Sequence, residues 1–453
     1  MTLFPRLYRT TYEQRYMNIT MPAAIECIFM NVLASADLIM VGSLGAVSIA
    51  AISIFLQPRM ILLCFARSIA SAVTLLTARK AGSRDVRGVS ELMRKALFLG
   101  FVFMGLLHIL FFVFLQKILL LMGAGSDYLP QALLYARIAV LSVFITSMTS
   151  ILQAVQLGFG ETGVIMKTNV TGNIINVIVN ALLIFGLGPF PKLGVVGAAL
   201  GTVAGTLFTL GATIYVMNIN RYFSQGGSFI PDKSFFKEFL PIFSSVISEQ
   251  GCERIGMVLF ARMAAGLGTV PFAVHSICMS ICDYYYDFAT GLGKASMVLA
   301  GQSCGARDEK EWHIWHRISV KWSLIFSTVS FIIIFLFHKQ IFSIYSRDPE
   351  ALALSGIIMF LVALVSYPEA HALVCAGILR GSGKTAAVAA YSFTTITVIR
   401  PLLTAFFLYV MDWGLLGIWI ALLTDQCIRA GCSTVLLYRI KSRIKQQMEA
   451  LCG

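Results

Sequence analysis

The chain has 453 residues, of which 58% are hydrophobic and only 13% are charged, and its mean hydropathy is +0.81. A soluble domain of this length needs far more charge to cover its surface, so the composition excludes a soluble protein. The formal net charge of +13 does not indicate a nucleic-acid partner, because the basic residues lie in short connectors between apolar runs.

Apolar runs recur along the whole chain, and each is long enough to cross a hydrocarbon layer of about 30 Å. Their lengths, and the basic residues between them, predict an all-α polytopic membrane protein with twelve transmembrane helices. The predicted spans are approximately 17–43, 46–78, 96–120, 131–155, 168–186, 194–217, 239–265, 271–303, 319–337, 351–379, 388–410 and 415–437.

The distribution of basic residues predicts the orientation in the membrane. The connectors on one side include Arg79, Lys80, Lys167 and Lys384, whereas the opposite connectors hold few basic residues. Because positively charged connectors remain in the cytoplasm, we expect both termini to be cytoplasmic. The expected location is the cell (inner) membrane, crossed many times.

Three short motifs recur at one spacing of 223 residues (positions 45 and 268, 82 and 305, 160 and 383). SLGAVSIAAISI is followed by GLGTVPFAVHSI, GSRD by GARD, and GFGET by GSGKT. The repeat predicts two six-helix lobes, residues 1–217 and 239–453, joined by a cytoplasmic linker at 218–238. Since each lobe has an even number of helices, the two bundles are predicted to be parallel and pseudo-symmetric around a central cavity. This organisation is typical of secondary transporters.

One segment, GILRGSGKT (Gly377–Thr385), is similar to a phosphate-binding loop of an ATPase. That loop requires the spacing GxxxxGK[ST] after a buried strand, but here Ile378 occupies the first glycine position and an apolar helix precedes the segment. Its repeat partner GFGET contains no lysine. We therefore interpret the segment as a glycine-rich turn between helices and predict no ATP site.

Longer motifs cover most of the chain. The first helix and its turn read MPAAIECIFMNVLASADLIMVGSLGAVSIAA, and the fifth and sixth helices contain GNIINVIVNALLIFG and LGVVGAALGT. The eighth helix and the late turn contain GLGKASMVLAGQSCGARD and GILRGSGKT. In this order the motifs resemble those of the MATE (multidrug and toxic compound extrusion) family, in particular its NorM-like branch.

The resemblance implies a cation-coupled exporter, in which protons or sodium enter while an amphipathic compound leaves by rocker-switch alternating access. In the NorM-like branch the cation site uses acids of the first, seventh and tenth helices, which correspond here to Asp37, Glu253 and Glu369. The family's coupling cluster also uses polar residues of the fifth helix, which correspond to Asn176 and Asn180. The archaeal-type branch has an acid at the position of Asn180, so this chain departs from that pattern.

The residues also support a cation site without the family. The three acids lie inside apolar runs, where an ionised carboxylate costs roughly 2.5–3.5 kcal/mol on insertion scales. A proton or a sodium ion would neutralise such a charge, and carboxylate and amide oxygens are suitable sodium ligands. The alternative is a structural role, in which the acids pair with arginines and the asparagines join helices by hydrogen bonds.

Other polar and aromatic residues inside the spans are candidates for the substrate cavity. They are Arg59, Arg67, Tyr284, Asp287 and Met257. A cavity rich in arginine favours anionic or zwitterionic cargo. Alternatively, Asp287 forms a structural ion pair, and the tyrosine and methionine are ordinary packing residues.

The sequence thus predicts a secondary active multidrug efflux transporter that exchanges small amphipathic compounds for H⁺ or Na⁺. We expect a monomer in the lipid bilayer that needs no cofactor, has no catalytic site and binds no nucleic acid. The alternative function is that of a lipid-linked oligosaccharide flippase of the same superfamily, and a channel is a more distant possibility.

Overall fold

The computed structural model describes residues 11–219, 226–346 and 348–452. Within these ranges every regular element is a helix. The first ten residues, residues 220–225 of the predicted linker, and Gly453 lie outside the described part. The cytoplasmic location of the termini and the linker therefore stays a prediction.

The helices follow one another with short connectors. Residues 385–410 form one continuous helix that contains two π-helical stretches, Phe393–Ile399 and Phe406–Val410. The α-helical segments are α1 (Tyr12–Gly42), α2 (Ala46–Gly82), α3 (Val86–Val113), α4 (Leu115–Leu121), α5 (Leu129–Phe159), α6 (Thr162–Phe185), α7 (Val195–Ile219), α8 (Lys233–Ala265), α9 (Thr269–Ala306), α10 (Glu309–Tyr345), α11 (Pro349–Gly381), α12 (Thr385–Ser392), α13 (Arg400–Ala405), α14 (Gly414–Lys441) and α15 (Ile444–Cys452).

Ten helical stretches in the described chain are long and apolar enough to cross a membrane. Helices α8 and α9 are equally long but more polar, because they carry charged residues such as Glu253 and Asp287. With these two the number of long helices reaches twelve. The predicted twelve-helix, all-α fold is confirmed.

Several predicted helix ends are wrong. Helix α3 begins at Val86, ten residues before the predicted start of its span at 96, and ends at Val113, where the short α4 follows. Helix α10 spans 37 residues, from Glu309 to Tyr345, although its predicted span covers only 319–337. The reason is that hydropathy detects the apolar part of a helix, whereas backbone hydrogen bonding continues through the polar ends.

The three repeated motifs form matching turns, which explains why they recur. Gly45 and Gly268 precede α2 and α9 with φ of 103° and 102°, and Gly160 and Gly383 follow α5 and α11 with φ of 83° and 85°. A left-handed φ of this kind is accessible to glycine at little cost.

In the GSRD and GARD motifs the aspartate caps the next helix. The Asp85 carboxylate accepts a hydrogen bond from the Gly88 amide at 2.8 Å, and Asp308 accepts one from the Glu311 amide at 2.9 Å. Such a cap satisfies one of the free backbone donors at a helix N-terminus. The late segment GILRGSGKT is the end of α11 followed by a turn, so it is not a phosphate-binding loop.

The described chain divides into two compact units. The first contains Ile25–Phe243, and the second contains residues 11–24 together with the residues from Ser244 onward. Helix α1 therefore contributes its N-terminal part to the second unit, where the Tyr16 hydroxyl donates to the Leu292 carbonyl at 3.1 Å. No sequence pattern indicated that this helix would be shared.

In the first unit, α6 and α7 approach each other through a stripe of small residues. Gly197, Gly201 and Gly205 are spaced four apart on α7, so they share one face. A Cβ atom at Gly205 would lie 2.6 Å from the Gly172 carbonyl oxygen of α6. Small residues of this kind let helix backbones pack closely in a membrane. The stripe fixes the position of α6, which carries Asn176 and Asn180.

We predict that Gly205→Ala lowers the thermal stability of the purified protein. The added methyl group meets backbone atoms that cannot rotate away, and overpacking of this kind costs about 1–3 kcal/mol. Gly211→Ala is the matched control, because a Cβ atom there would have no neighbour within 4 Å. Equal melting temperatures for the two variants in detergent would contradict the close approach of α6 and α7.

Candidate functional site

The first unit carries a regular series of contacts between α1 and α6. Glu26, Met30 and Asp37 of α1 each accept a hydrogen bond from an asparagine located 143 residues later in the sequence. A constant offset means that the two helices run side by side in the same direction. The asparagines are Asn169, Asn173 and Asn180 of α6.

Asp37 lies near the C-terminal end of α1 and is held by an amide. The Asn180 Nδ2 donates to the Asp37 Oδ1 at 2.9 Å, and the Asn180 side chain is only 2% exposed. The other amide atom, Asn180 Oδ1, has no hydrogen-bond partner in the described structure. Asn176, one turn earlier, donates to the Thr202 hydroxyl of α7 at 3.4 Å. The site therefore combines a carboxylate with a buried amide oxygen that has no partner.

No arginine neutralises Asp37 by direct contact. Within the described chain no ion pair of 4.0 Å or less involves its carboxylate, although Arg59 of α2 acts on it electrostatically. Arg67 is exposed and makes contacts elsewhere. The structural alternative, in which an arginine pairs directly with this acid, is therefore not found for Asp37 in the described residues.

In the second unit, Glu369 of α11 is buried and incompletely satisfied. Its Oε1 accepts a hydrogen bond from the Gln426 Nε2 at 3.3 Å, whereas its Oε2 and the Gln426 Oε1 have no partner in the described residues. Glu253 of α8 is half-buried and takes part in no ion pair among those residues. Neither acid is locked against an arginine.

Two buried arginines of this unit are instead paired with acids that the sequence analysis did not select. Two nitrogens of Arg400, Nη2 and Nε, donate to the Asp425 Oδ2 at 2.6 and 2.9 Å, and both side chains are almost completely buried. Arg380 pairs with Glu249 at 2.7 Å. Both pairs remove positive charge from the interior, which weakens the argument for an arginine-rich cavity.

The remaining cavity candidates are scattered within the second unit. The Met257 sulfur accepts a hydrogen bond from the Arg400 Nη1 at 3.0 Å, which favours a packing role for this methionine. Tyr284 is 48% exposed, and Asp287 is half-buried with contacts of its own. In the part of the chain that the structure describes, no three histidine, cysteine or acidic residues lie together in a way that could hold a metal ion. A sodium ion would thus need amide, hydroxyl or carbonyl oxygens as additional ligands.

Four polar residues of the two units escaped the sequence analysis. Glu26, Glu249, Asp425 and Arg429 lie within long helices, and Arg429 is 4% exposed with an unpartnered Nε atom in the described residues. The sequence could have indicated them, because each is a charged residue inside an apolar stretch. They were not selected because the resemblance marks Asp37, Glu253 and Glu369 as the acids of the cation site.

Comparisons with known proteins identify the fold and the family of this chain. A solved structure described as MATE in the bent conformation matches with a TM-score of 0.87, at 19% identity, over 97% of this chain and 100% of that chain. The uncharacterized transporter YisQ of Bacillus subtilis is 22% identical over 93% of this chain and 92% of its own length. A probable multidrug resistance protein NorM of Thermotoga maritima is 27% identical over 63% of this chain and 61% of its own length.

The fold and the intramembrane carboxylates thus define a multi-pass membrane transporter. The MatE family model matches residues 22–182 and 241–406, which is most of the chain. The chain belongs to the MatE family, and the predicted MATE relationship is confirmed.

We predict that Asp425→Leu strongly destabilises the second unit, because it leaves the Arg400 guanidinium buried without a counter-ion. Breaking a buried ion pair on one side costs about 3–5 kcal/mol, whereas replacing both partners by apolar residues costs much less. The double variant Arg400→Leu/Asp425→Leu should therefore melt at a higher temperature than the single variant in detergent.

The control for this experiment is Glu13→Gln, which removes an exposed ion pair with Lys321. Pairs of that kind contribute only about 0–1 kcal/mol. A single Asp425→Leu variant as stable as this control would show that the buried pair is unimportant.

Proposed function

We propose that this chain exports amphipathic organic compounds from the cell in exchange for H⁺ or Na⁺. Multidrug efflux is the function that membership of the MatE family supports, and a relative bears the name of a probable multidrug resistance protein. These relatives do not favour the flippase alternative. The observation that carries the proposal is the contact between Asp37 and Asn180.

Asp37 is suited to coupling because the protein does not neutralise it permanently. An ionised carboxylate inside an apolar helix is costly unless a counter-charge approaches it. Asn180 donates one hydrogen bond to Asp37 but contributes no charge. A proton or a sodium ion can therefore occupy the site and leave it again.

The chemistry of the site fits both candidate ions. A proton needs only the carboxylate, whereas sodium prefers several hard oxygen ligands. The unpartnered Asn180 Oδ1 packs against Gly201 of α7, so rotation of the amide would be needed to bring this oxygen to the carboxylate. We propose no cofactor other than the travelling ion, and no catalytic residue.

Transport follows if the cation and the cargo stabilise opposite states of the protein. A ligand shifts a conformational equilibrium only by its differential affinity for the two states. Neutralisation of Asp37 removes the charge that strengthens its hydrogen bond with Asn180. One of the hydrogen bonds between α1 and α6 is then weaker. We propose that this change accompanies release of the cargo, by a rocker-switch motion.

The acids of the second unit have a supporting role in this proposal. In the described residues no ion pair of 4.0 Å or less joins Glu369 or Glu253 to an arginine, although Arg429 acts on both electrostatically, so each could also take up a cation. Glu249 and Asp425 differ from these two acids, because each already forms an ion pair with an arginine that neutralises its charge.

The substrates are small molecules that enter from the cytoplasm or the bilayer. Arg59, Arg67, Tyr284, Asp287 and Met257 remain the proposed cavity residues. We propose a monomer in the inner membrane with both termini in the cytoplasm, as the distribution of basic residues indicates.

We predict that Asp37→Asn abolishes gradient-driven efflux while the protein still accumulates in the membrane. The amide retains the shape of the side chain but cannot bind a proton or carry the charge that attracts sodium. Proteoliposomes with an imposed pH or sodium gradient, loaded with cationic and anionic dyes, provide the measurement.

Asp127→Asn is the matched control, because it makes the same change at an exposed connector between α4 and α5. The proposal fails if the Asp37→Asn protein pumps at the wild-type rate. Ion current without movement of dye would favour a channel instead.

A further inference from the structure

The α1–α6 contact contains a second carboxylate station that the proposed function does not use. Glu26 lies eleven residues before Asp37 on α1, which is about three helical turns and roughly 16 Å along the axis. Both acids therefore lie on the same side of α1. Each meets an asparagine of α6 at the same offset of 143 residues, Asn169 for Glu26 and Asn180 for Asp37.

The environment of Glu26 is a polar site formed by three helices of the first unit. The Asn169 Nδ2 donates to the Glu26 Oε1 at 2.5 Å. The Gln153 Nε2 of α5 donates to the Asn169 Oδ1 at 2.7 Å, and the same nitrogen lies 3.3 Å from the Thr213 hydroxyl of α7. These bonds fix the orientation of the asparagine, so that its nitrogen faces the carboxylate.

The protein supplies no counter-charge to this carboxylate. Across residues 11–219, 226–346 and 348–452, no lysine, arginine or histidine lies within 4.0 Å of Glu26. The groups bonded to the site are amides and hydroxyls, which are uncharged at any ordinary pH. Glu26 is thus a half-buried carboxylate in an apolar helix, held by an oriented donor. Like Asp37, it needs a cation to neutralise its charge.

Buried ion pairs would have been the structural alternative, and this chain uses them elsewhere. Asp425 and Glu249 of the second unit each contact an arginine directly. Glu26 instead forms a hydrogen bond only with Asn169 among the described residues. This bond uses Oε1, and Oε2 has no hydrogen bond there. An oxygen atom is thus available for a proton or for a small cation.

We propose that Glu26 and Asn169 form a second binding station for a monovalent cation, so that the first unit takes up a cation at Glu26 as well as at Asp37. The inference rests on the proposed function, because it assumes that transport is cation-coupled. The ion is a proton or sodium, and the same oxygen atoms could receive either.

The consequence is a change in stoichiometry. Each loaded station adds about one cation for each cargo molecule, so removal of the Glu26 station lowers the number of cations moved by about one. Coupling persists at the lower ratio as long as Asp37 is intact.

The test measures this ratio in proteoliposomes, with one arm driven by a sodium gradient and the other by a pH gradient. In each arm the gradient that stops net dye flux against a fixed dye gradient gives the number of cations per cargo. Glu26→Gln should lower the ratio by about one cation per cargo molecule in the arm that drives transport, because glutamine keeps the hydrogen bond from Asn169 but loses the charge. Glu13→Gln makes the same change at an exposed position of the same helix and should leave the ratio unchanged.

Direct binding of ²²Na⁺ to the purified protein, and proton uptake after a pH jump, provide a second readout. Loss of about one bound cation per molecule in Glu26→Gln, with the Asp37 site still occupied, supports the second station. A wild-type ratio and wild-type binding in Glu26→Gln overturn it, even if Asp37→Asn is inactive. Undiminished pumping by Asp37→Asn instead counts against the proposed function, so the two failures can be told apart.

Asn169→Ala keeps the carboxylate and removes only the oriented donor. It provides a second test of the station if Glu26→Gln does not fold. Loss of the charge-assisted hydrogen bond should change cation affinity at this station by about tenfold or more. Suppose that cation affinity is unchanged in Asn169→Ala and the ratio of cations to cargo is unchanged in Glu26→Gln. The contact between Glu26 and Asn169 would then serve helix packing alone.

Discussion

The central constraint on this protein is the cost of ionised carboxylates inside helices that lie in a hydrocarbon layer. The structure meets this cost in two different ways. In the second unit, Asp425 and Glu249 are neutralised by direct ion pairs with Arg400 and Arg380. In the first unit, Asp37 has only an amide donor, so its charge remains available to a travelling ion. The difference separates the acids that form ion pairs from the acid that we propose for cation coupling.

The helix packing of the first unit serves this arrangement. Glycines at every fourth position of α7 allow α6 to approach closely, and α6 in turn presents a row of asparagines to α1. Because the row repeats with the period of the helix, the acids of α1 meet amides at a constant register. An amide donor holds a carboxylate in place without cancelling its charge. Uncharged partners are therefore what makes reversible cation binding physically reasonable here.

The sequence predicted most of the fold and part of the candidate site. Hydropathy found the twelve spans, and the repeat found the two related halves, whose motifs include glycines with matching positive φ at Gly45 and Gly268. Helix ends were less accurate, as the early start of α3 shows. In the candidate site, Asp37 and Asn180 were both selected, but their mutual contact could not be read from positions 143 residues apart.

What the sequence by itself determined is the class of the protein: an all-α membrane transporter of two related halves, with acids inside its spans. These properties follow from composition, period and local motifs, which act over a few residues. Only the tertiary structure decided which acids have arginine partners, that Glu26 faces Asn169, and that α1 is shared between two units. The physical reason is that ion pairing and hydrogen bonding act over a few ångströms in space, between residues far apart along the chain.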